Sequence, residues 1–164
     1  MAWQTCILVV ANVTADSDEL LAALRHRAEQ GPIRITLLVP QKAAGPEARE
    51  AATVQLERAL ERIRDAGLEA DGQVGDSDPS TAVSDIWDPR KFDEVMVSTL
   101  AGTASRWLAL DLPHRLERMT GCKVTHVVAK PKRPLQVVHP PEQPKSGILS
   151  PLLPLPWRSE ERGS

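Results

Sequence analysis

"TCILVVANVTADSDELLAALRHRAEQG" (residues 5–31) joins a predicted strand to a predicted helix. Residues 5–13 form a nearly continuous apolar run of strand length, which is typical of a strand buried on both faces. Asp16 or Ser17 can cap the helix that follows, and Gly31 can end it. The apolar stripe of this helix consists of Leu20, Leu21, Leu24 and Ala28. A buried strand that leads directly into an amphipathic helix is the repeating unit of a parallel α/β sheet.

The same alternation continues along the chain as far as residue 129. Further strands are predicted at 33–40, 68–76, 92–100 and 122–129, and further helices at 45–67, 78–87 and within 101–121. Strands that alternate with helices predict βαβ units and a parallel sheet that is covered on both faces. The third strand, 68–76, is polar, so we expect it at an edge of the sheet.

Composition and charge exclude several classes of partner. A net charge of −2 gives no bulk attraction to nucleic acid. The N-terminus lacks a basic signal region, and the longest apolar runs are too short to span a membrane. We therefore expect a cytoplasmic protein that binds neither nucleic acid nor membrane.

The potential metal ligands are scattered along the sequence. Cys6 and Cys122 lack zinc-ligand spacing. The four histidines fall in different predicted segments, and they are His26, His114, His126 and His139. No serine has the context of a nucleophile elbow. We expect no metal, no cofactor and no catalytic set, and hence no enzyme.

The chain changes character after Lys130. Eight of its 14 prolines lie in the last 34 residues, which excludes regular helix or central strand there. We therefore divide the chain into an α/β domain, 1–130, and a proline-rich extension, 131–164. The extension carries apolar residues, so two interpretations stay open. It is either an arm that packs on its own domain or on a second subunit, or a ligand for a separate protein partner.

Four strings resemble the universal stress protein family, in the same order and at the same spacing. They are "ILVVANVTADSDELLAAL" (7–24), "VGDSDPSTAV" (74–83), "DEVMVSTL" (93–100) and "SRWLALDLPHRLERMTGCKVTHVVA" (105–129). The resemblance implies a three-layer, Rossmann-like α/β fold. Its parallel sheet would have five strands in the order 3-2-1-4-5, flanked by four helices. It also implies a homodimer that pairs the fifth strand with its copy.

Members of that family that bind ATP carry G-x2-G-x9-G-(S/T) after the fourth strand. An ungapped alignment on Ser105–Arg106 places the four motif positions at Val97, Leu100, Leu110 and Asp111. All four depart from the motif. Leucine side chains obstruct the close backbone approach that phosphate needs, and Pro113 lacks an N–H. We also expect Asp111 to cap the last helix and to occupy the N–H groups that a phosphate would use.

The resemblance nevertheless defines candidate sites. The candidate ligand-binding residues are Asn12, Thr14, Val39, Ser98, Thr99, Gly102, Thr103, Ser105, Arg106 and Asp111. The candidate dimer edge comprises Val124, Thr125, His126, Val127 and Val128. The first hypothesis is a non-catalytic stress-response regulator that dimerises, binds partners and has lost ATP binding. The second is a small-ligand or nucleotide-binding module with a remodelled loop after the fourth strand. The third, an enzyme, lacks both a phosphate grip and an acid or base in the cleft.

Overall fold

A computed structural model of the chain describes residues 3–102 and 106–131. The strands are β1 (Thr5–Val10), β2 (Ile33–Pro40), β3 (Glu69–Gly75), β4 (Glu94–Leu100) and β5 (Val124–Ala129). The helices are α1 (Asp18–Glu29), α2 (Pro46–Asp65), α3 (Pro79–Ile86), α4 (Arg106–Ala109) and α5 (Leu112–Thr120). The predicted alternation of strands and helices is therefore confirmed.

The five strands form one parallel sheet in the order β3-β2-β1-β4-β5, which confirms the expected topology. β1 lies at the centre, where Ile7 pairs with Ile35 of β2 and Val9 with Met96 of β4. The polar strand β3 is at one edge, as predicted, and β5 is at the other. None of the described helices has the length and apolar character needed to cross a membrane.

Two apolar layers enclose the sheet, because successive side chains of a strand point to opposite faces. Ile7 and Val9 contribute to the layer formed with α1 and α2, whereas Leu8 and Val10 contribute to the layer formed with α3 and α5. The helices supply Leu20, Leu24, Ala52, Leu56, Ala59, Leu60 and Ile63 to the first layer, and Ala82, Val83, Leu112 and Leu116 to the second. The central strand is thus buried from both sides.

Local chemistry sets the helix boundaries. Of the two candidate caps of α1, Ser17 is the one that acts, since its Oγ accepts a hydrogen bond from the N–H of Leu20 at 3.2 Å. The segment predicted as one helical region within 101–121 contains two helices, α4 and α5. They are separated at Asp111, whose left-handed backbone (φ 51°) interrupts the helical path. The chain therefore has five helices in its described part rather than four.

The predicted extension, 131–164, lies outside the described residues apart from Pro131. The boundary near residue 130 and both interpretations of the extension therefore remain predictions.

The close packing of β3 on its neighbours leads to a test of the fold. A Cβ added at Gly72 would clash with the carbonyl oxygen of Leu37 and stand 2.7 Å from Leu56 Cδ1. Because the obstacle includes backbone, we expect Gly72→Ala to lower the free energy of unfolding by about 1–3 kcal/mol. Urea denaturation measures this, with the exposed neighbour Gln73→Ala as a control that changes it by less than about 0.5 kcal/mol. Equal stability of the two variants would contradict the packing.

Candidate functional site

A cleft of about 660 Å³ opens at the carboxyl-terminal edge of the sheet. It is lined by Asn12, Val13, Thr14, Gln41, Lys42, Ala43, Ser77, Asp78, Pro79, Ser98, Thr99, Leu100, Arg106, Trp107 and Leu110. These residues come from the segments that follow β1, β2 and β3, from the first residue of α3, from the end of β4, and from α4 and the residue after it. The cleft thus lies at the carboxyl ends of the neighbouring strands β1 and β4. Open α/β sheets bind ligands at this kind of position.

A buried hydrogen bond at the cleft joins the segment after β1 to β4. Thr14 Oγ1 donates to the carbonyl oxygen of Ser98 at 3.0 Å, and the two residues are only 2% and 1% exposed. This bond fixes the segment after β1 against β4. Ser98 Oγ is itself buried and has no hydrogen-bond partner among the described residues. A buried hydroxyl without a partner is destabilising.

Asn12 attaches the segment after β1 to β2, the strand on the other side of β1 from β4. Its Nδ2 donates to the carbonyl oxygen of Pro40 at 2.7 Å, at the end of β2. One amide donor of Asn12 is therefore committed to joining β1 and β2. The backbone beside the cleft is held by both neighbouring strands, which makes this part of the wall well ordered.

Three charged side chains line the cleft within the part of the chain that the structure describes, and two of them are basic. Lys42 and Arg106 are both exposed. The third, Asp78, is the N-cap of α3, where its Oδ2 accepts from Thr81 Oγ1 at 2.8 Å and from Thr81 N at 3.0 Å. The hydrogen bond from the Thr81 side chain is the main reason that the pKa of Asp78 is lowered. Asp78 therefore stays ionised at neutral pH, and these three groups carry a net charge of +1.

The remaining wall of the cleft is largely apolar. Leu100 ends β4, Trp107 lies on α4, and Leu110 follows α4. Val13 faces them from the segment after β1, and both Val13 and Leu110 are 43% exposed. Large apolar side chains thus occupy the positions that the resemblance aligned with the second and third motif glycines, Leu100 and Leu110.

The structure brings together half of the predicted ligand-binding residues. Those that line the cleft are Asn12, Thr14, Ser98, Thr99 and Arg106. Val39 is fully buried in the core layer of α1 and α2, and Gly102 is not part of the cleft wall. Thr103 and Ser105 lie outside the described residues.

Two charged wall residues, Lys42 and Asp78, were missed by the sequence reasoning. A general property of parallel sheets could have identified them: the carboxyl ends of all strands meet at one edge of the sheet. The segments that follow β2 and β3 therefore belong to the same site as those that follow β1 and β4.

Asp111 does not have the role expected for it. It occupies the N-cap position of α5, but its backbone is left-handed and its side chain makes no capping hydrogen bond. An N-cap side chain accepts from the helix when its backbone is extended, and the left-handed conformation aims it elsewhere. Asp111 Oδ1 instead lies 2.6 Å from His114 Nδ1, outside the cleft. The expectation that its carboxylate occupies the helix N–H groups is therefore wrong.

Thr99 also connects the cleft to the edge of the sheet. Its Oγ1 lies 2.7 Å from His126 Nε2 on β5. Partial burial of the imidazole lowers the pKa of His126, so the ring is neutral at pH 7. Within the described residues, no three His, Cys, Asp or Glu side chains are grouped so as to hold a metal ion.

Comparison with known proteins shows the fold. No family model matches the sequence, and no curated protein matches it significantly. The universal stress protein from Archaeoglobus fulgidus in complex with dAMP superimposes with a TM-score of 0.57 at 12% identity, over 77% of this chain and 99% of that one. A universal stress protein in complex with cAMP gives 0.50 at 19% identity, over 78% and 98% of the two chains. The chain therefore has the universal stress protein fold.

The contact between Asp111 and His114 leads to a pH-dependence test. The hydrogen bond and charge of Asp111 raise the pKa of His114 above 6.5. The contact between Asp111 and His114 therefore stabilises the fold fully below the unfolded-state pKa of His114. This stabilisation disappears as the pH rises through the higher folded-state pKa of the same ring. We expect Asp111→Asn, which still tolerates the left-handed backbone, to lower the His114 pKa in an NMR titration. The unaltered chain is the control, and an unchanged His114 pKa in the variant would contradict the contact.

Proposed function

We propose that this chain is a universal-stress-type regulatory protein of the cytoplasm. In this proposal it takes part in the stress response without catalysis, forms a homodimer and acts through protein partners. The fold supports the general class. The observation that carries the more specific proposal is the apolar wall of the cleft, formed where the resemblance places the glycines of the ATP motif.

The composition of this wall disfavours a triphosphate. Phosphate groups are held by backbone N–H groups that small residues leave accessible, often at the start of a helix. Here Leu100 and Leu110 cover the wall, and Pro113 supplies no N–H in the first turn of α5. Asp78 adds a negative charge to the same cleft. We therefore propose that the chain does not bind ATP.

Asp78, the one carboxylate that lines the cleft among the described residues, is also poorly suited to acid–base catalysis. Asp78 accepts two hydrogen bonds from Thr81, and its pKa is lowered. A general acid or base works best with a pKa near the operating pH. The non-catalytic part of the proposal depends on this property.

The edge strand β5 supports the proposal of a dimer. Its neighbour on one side is β4, and its other side is an edge of the sheet. The carbonyl of Lys123 accepts from Val95 N of β4, and the carbonyl of Ala129 accepts from Ala101 N just after β4. The backbone groups of His126 and Val128 therefore point outward. Val128 is also 48% exposed. Apolar edges of this kind are normally paired or covered, and antiparallel pairing with a second copy satisfies that need.

A second function is favoured by a separate observation, the unpartnered hydroxyl of Ser98. The residue Ser98 lines a cleft whose volume of about 660 Å³ suits a small molecule. We therefore propose, as an alternative, that the chain is a binding module for a small ligand other than a triphosphate.

The proline-rich extension, 131–164, is the segment we propose for binding a protein partner.

The proposed loss of ATP binding can be tested by thermal denaturation. We expect no change in melting temperature with ATP and magnesium, whereas a ligand at 100 times its Kd stabilises by about 2.7 kcal/mol. Magnesium alone is the control, and the denatured protein should release no nucleotide. Replacing the wall leucines, Leu100→Gly with Leu110→Gly, should increase any response to ATP. A clear shift in the unaltered chain overturns the proposal, and a shift with dAMP or cAMP alone favours the alternative function.

The proposed dimer can be tested by light scattering. We expect a mass twice that of the 17.9 kDa chain at micromolar concentration. Val128→Lys places a charge on the pairing edge and should yield monomer, because a buried unpaired charge opposes association. Val54→Lys is a matched control, since Val54 is 49% exposed on α2, which packs on β2 and β3. A monomeric unaltered chain, or equal effects of the two lysines, contradicts pairing through β5.

A further inference from the structure

We infer that the cleft binds a small amphipathic monoanion, a molecule with an apolar body and a single carboxylate. This inference rests on the small-ligand function proposed above and names the chemistry of the ligand. Three independent properties of the cleft wall lead to it: exposed apolar side chains, a net positive charge and an unpartnered buried hydroxyl.

The apolar property comes from side chains that different segments of the chain supply to the cleft. Val13, in the segment after β1, and Leu110, after α4, are each 43% exposed although both are fully apolar. Leu100 and Trp107 extend the same wall and are half-buried. Single exposed apolar residues are common on proteins, but four that converge on one concave surface provide a site for an apolar ligand. Covering them would remove apolar area from water, which favours binding.

The charge property selects among apolar ligands. Lys42 approaches from the segment after β2 and Arg106 from α4, so two cations come from different elements. The carboxylate of Asp78 offsets one of them, and its Oδ2 is already an acceptor for Thr81. One uncompensated positive charge matches a ligand with one negative charge. It is insufficient for a triphosphate, and it repels an ammonium group.

The third property is the Ser98 hydroxyl. Ser98 is 1% exposed, lines the cleft, and has an Oγ–H with no acceptor among the described residues. The hydroxyl itself is buried, so a ligand oxygen would provide that acceptor only by displacing the side chains that cover it. Arginine binds carboxylates through two parallel hydrogen bonds, and lysine and serine add further donors. The donors of this wall therefore suit an oxyanion, while its leucines and tryptophan suit a hydrocarbon or aromatic body.

Three eight-carbon probes separate the elements of the inference. Octanoate, octanol and octylamine have nearly the same apolar body and differ in charge. We expect isothermal titration of the full chain, below the micelle concentration, to show octanoate binding at least about five-fold more tightly than octanol, and octylamine most weakly. Equal binding of octanoate and octanol overturns the inference that the ligand is a monoanion, while the proposed small-ligand function stays intact. Failure of all three to bind overturns the inference of an amphipathic ligand, and the small-ligand function is then decided by the thermal denaturation with dAMP or cAMP described above.

Variants identify the site within the protein. Arg106→Gln and Lys42→Gln should each weaken the binding of octanoate by about two- to five-fold, as expected for exposed charge pairs. The affinity for octanol should not change. Lys91→Gln is the matched control, because Lys91 is an exposed cation that precedes β4 at the opposite edge of the sheet. Leu110→Asn should weaken the binding of both octanoate and octanol. If the cleft variants bind octanoate as the Lys91 variant does, the anion is held elsewhere and the inference is wrong.

Discussion

The parallel alignment of β1 with β2 and β4 is the constraint on which the rest of the structure depends. Residues Ile7 to Val10 have no solvent exposure, and they pack into apolar layers on both faces of the sheet. Since all strands run the same way, every strand ends at the same edge, and the segments that follow them meet there. The cleft is a geometric result of this alignment. Its chemistry depends only on which side chains those segments carry.

Most of the fold could be predicted because the apolar patterns are strong and repeated. The run from Thr5 to Val13 and the capped helix after it specify a βα unit without ambiguity, and the same pattern recurs along the domain. The strand order came from the resemblance to a family and not from the patterns alone. Periodicity did not reveal the break at Asp111, because one residue in a left-handed conformation leaves the spacing of apolar residues around it almost unchanged.

The candidate site was less predictable than the fold. Alignment to a motif identifies residues in the same loop, so Thr14, Ser98 and Arg106 were found, whereas Lys42 and Asp78 come from other strands. Val39 was assigned to the site although it lies within the core. The direction of a side chain at the end of a strand depends on the pleat, and a shift of one residue reverses it. Whether the Asp111 carboxylate caps a helix likewise depends on backbone angles that sequence does not specify.

The short helix α4 has a consequence for the plasticity of the cleft. None of its residues is fully buried, and it joins α5 through Asp111, whose backbone conformation is unfavourable for most residues by about 1–2 kcal/mol. The opposite wall, by contrast, is fixed by the buried bond from Thr14 to Ser98. Segments with few buried contacts open at the lowest free energy. The two walls therefore differ in how firmly they are held: a buried hydrogen bond fixes one, and the other consists of a short helix without a fully buried residue.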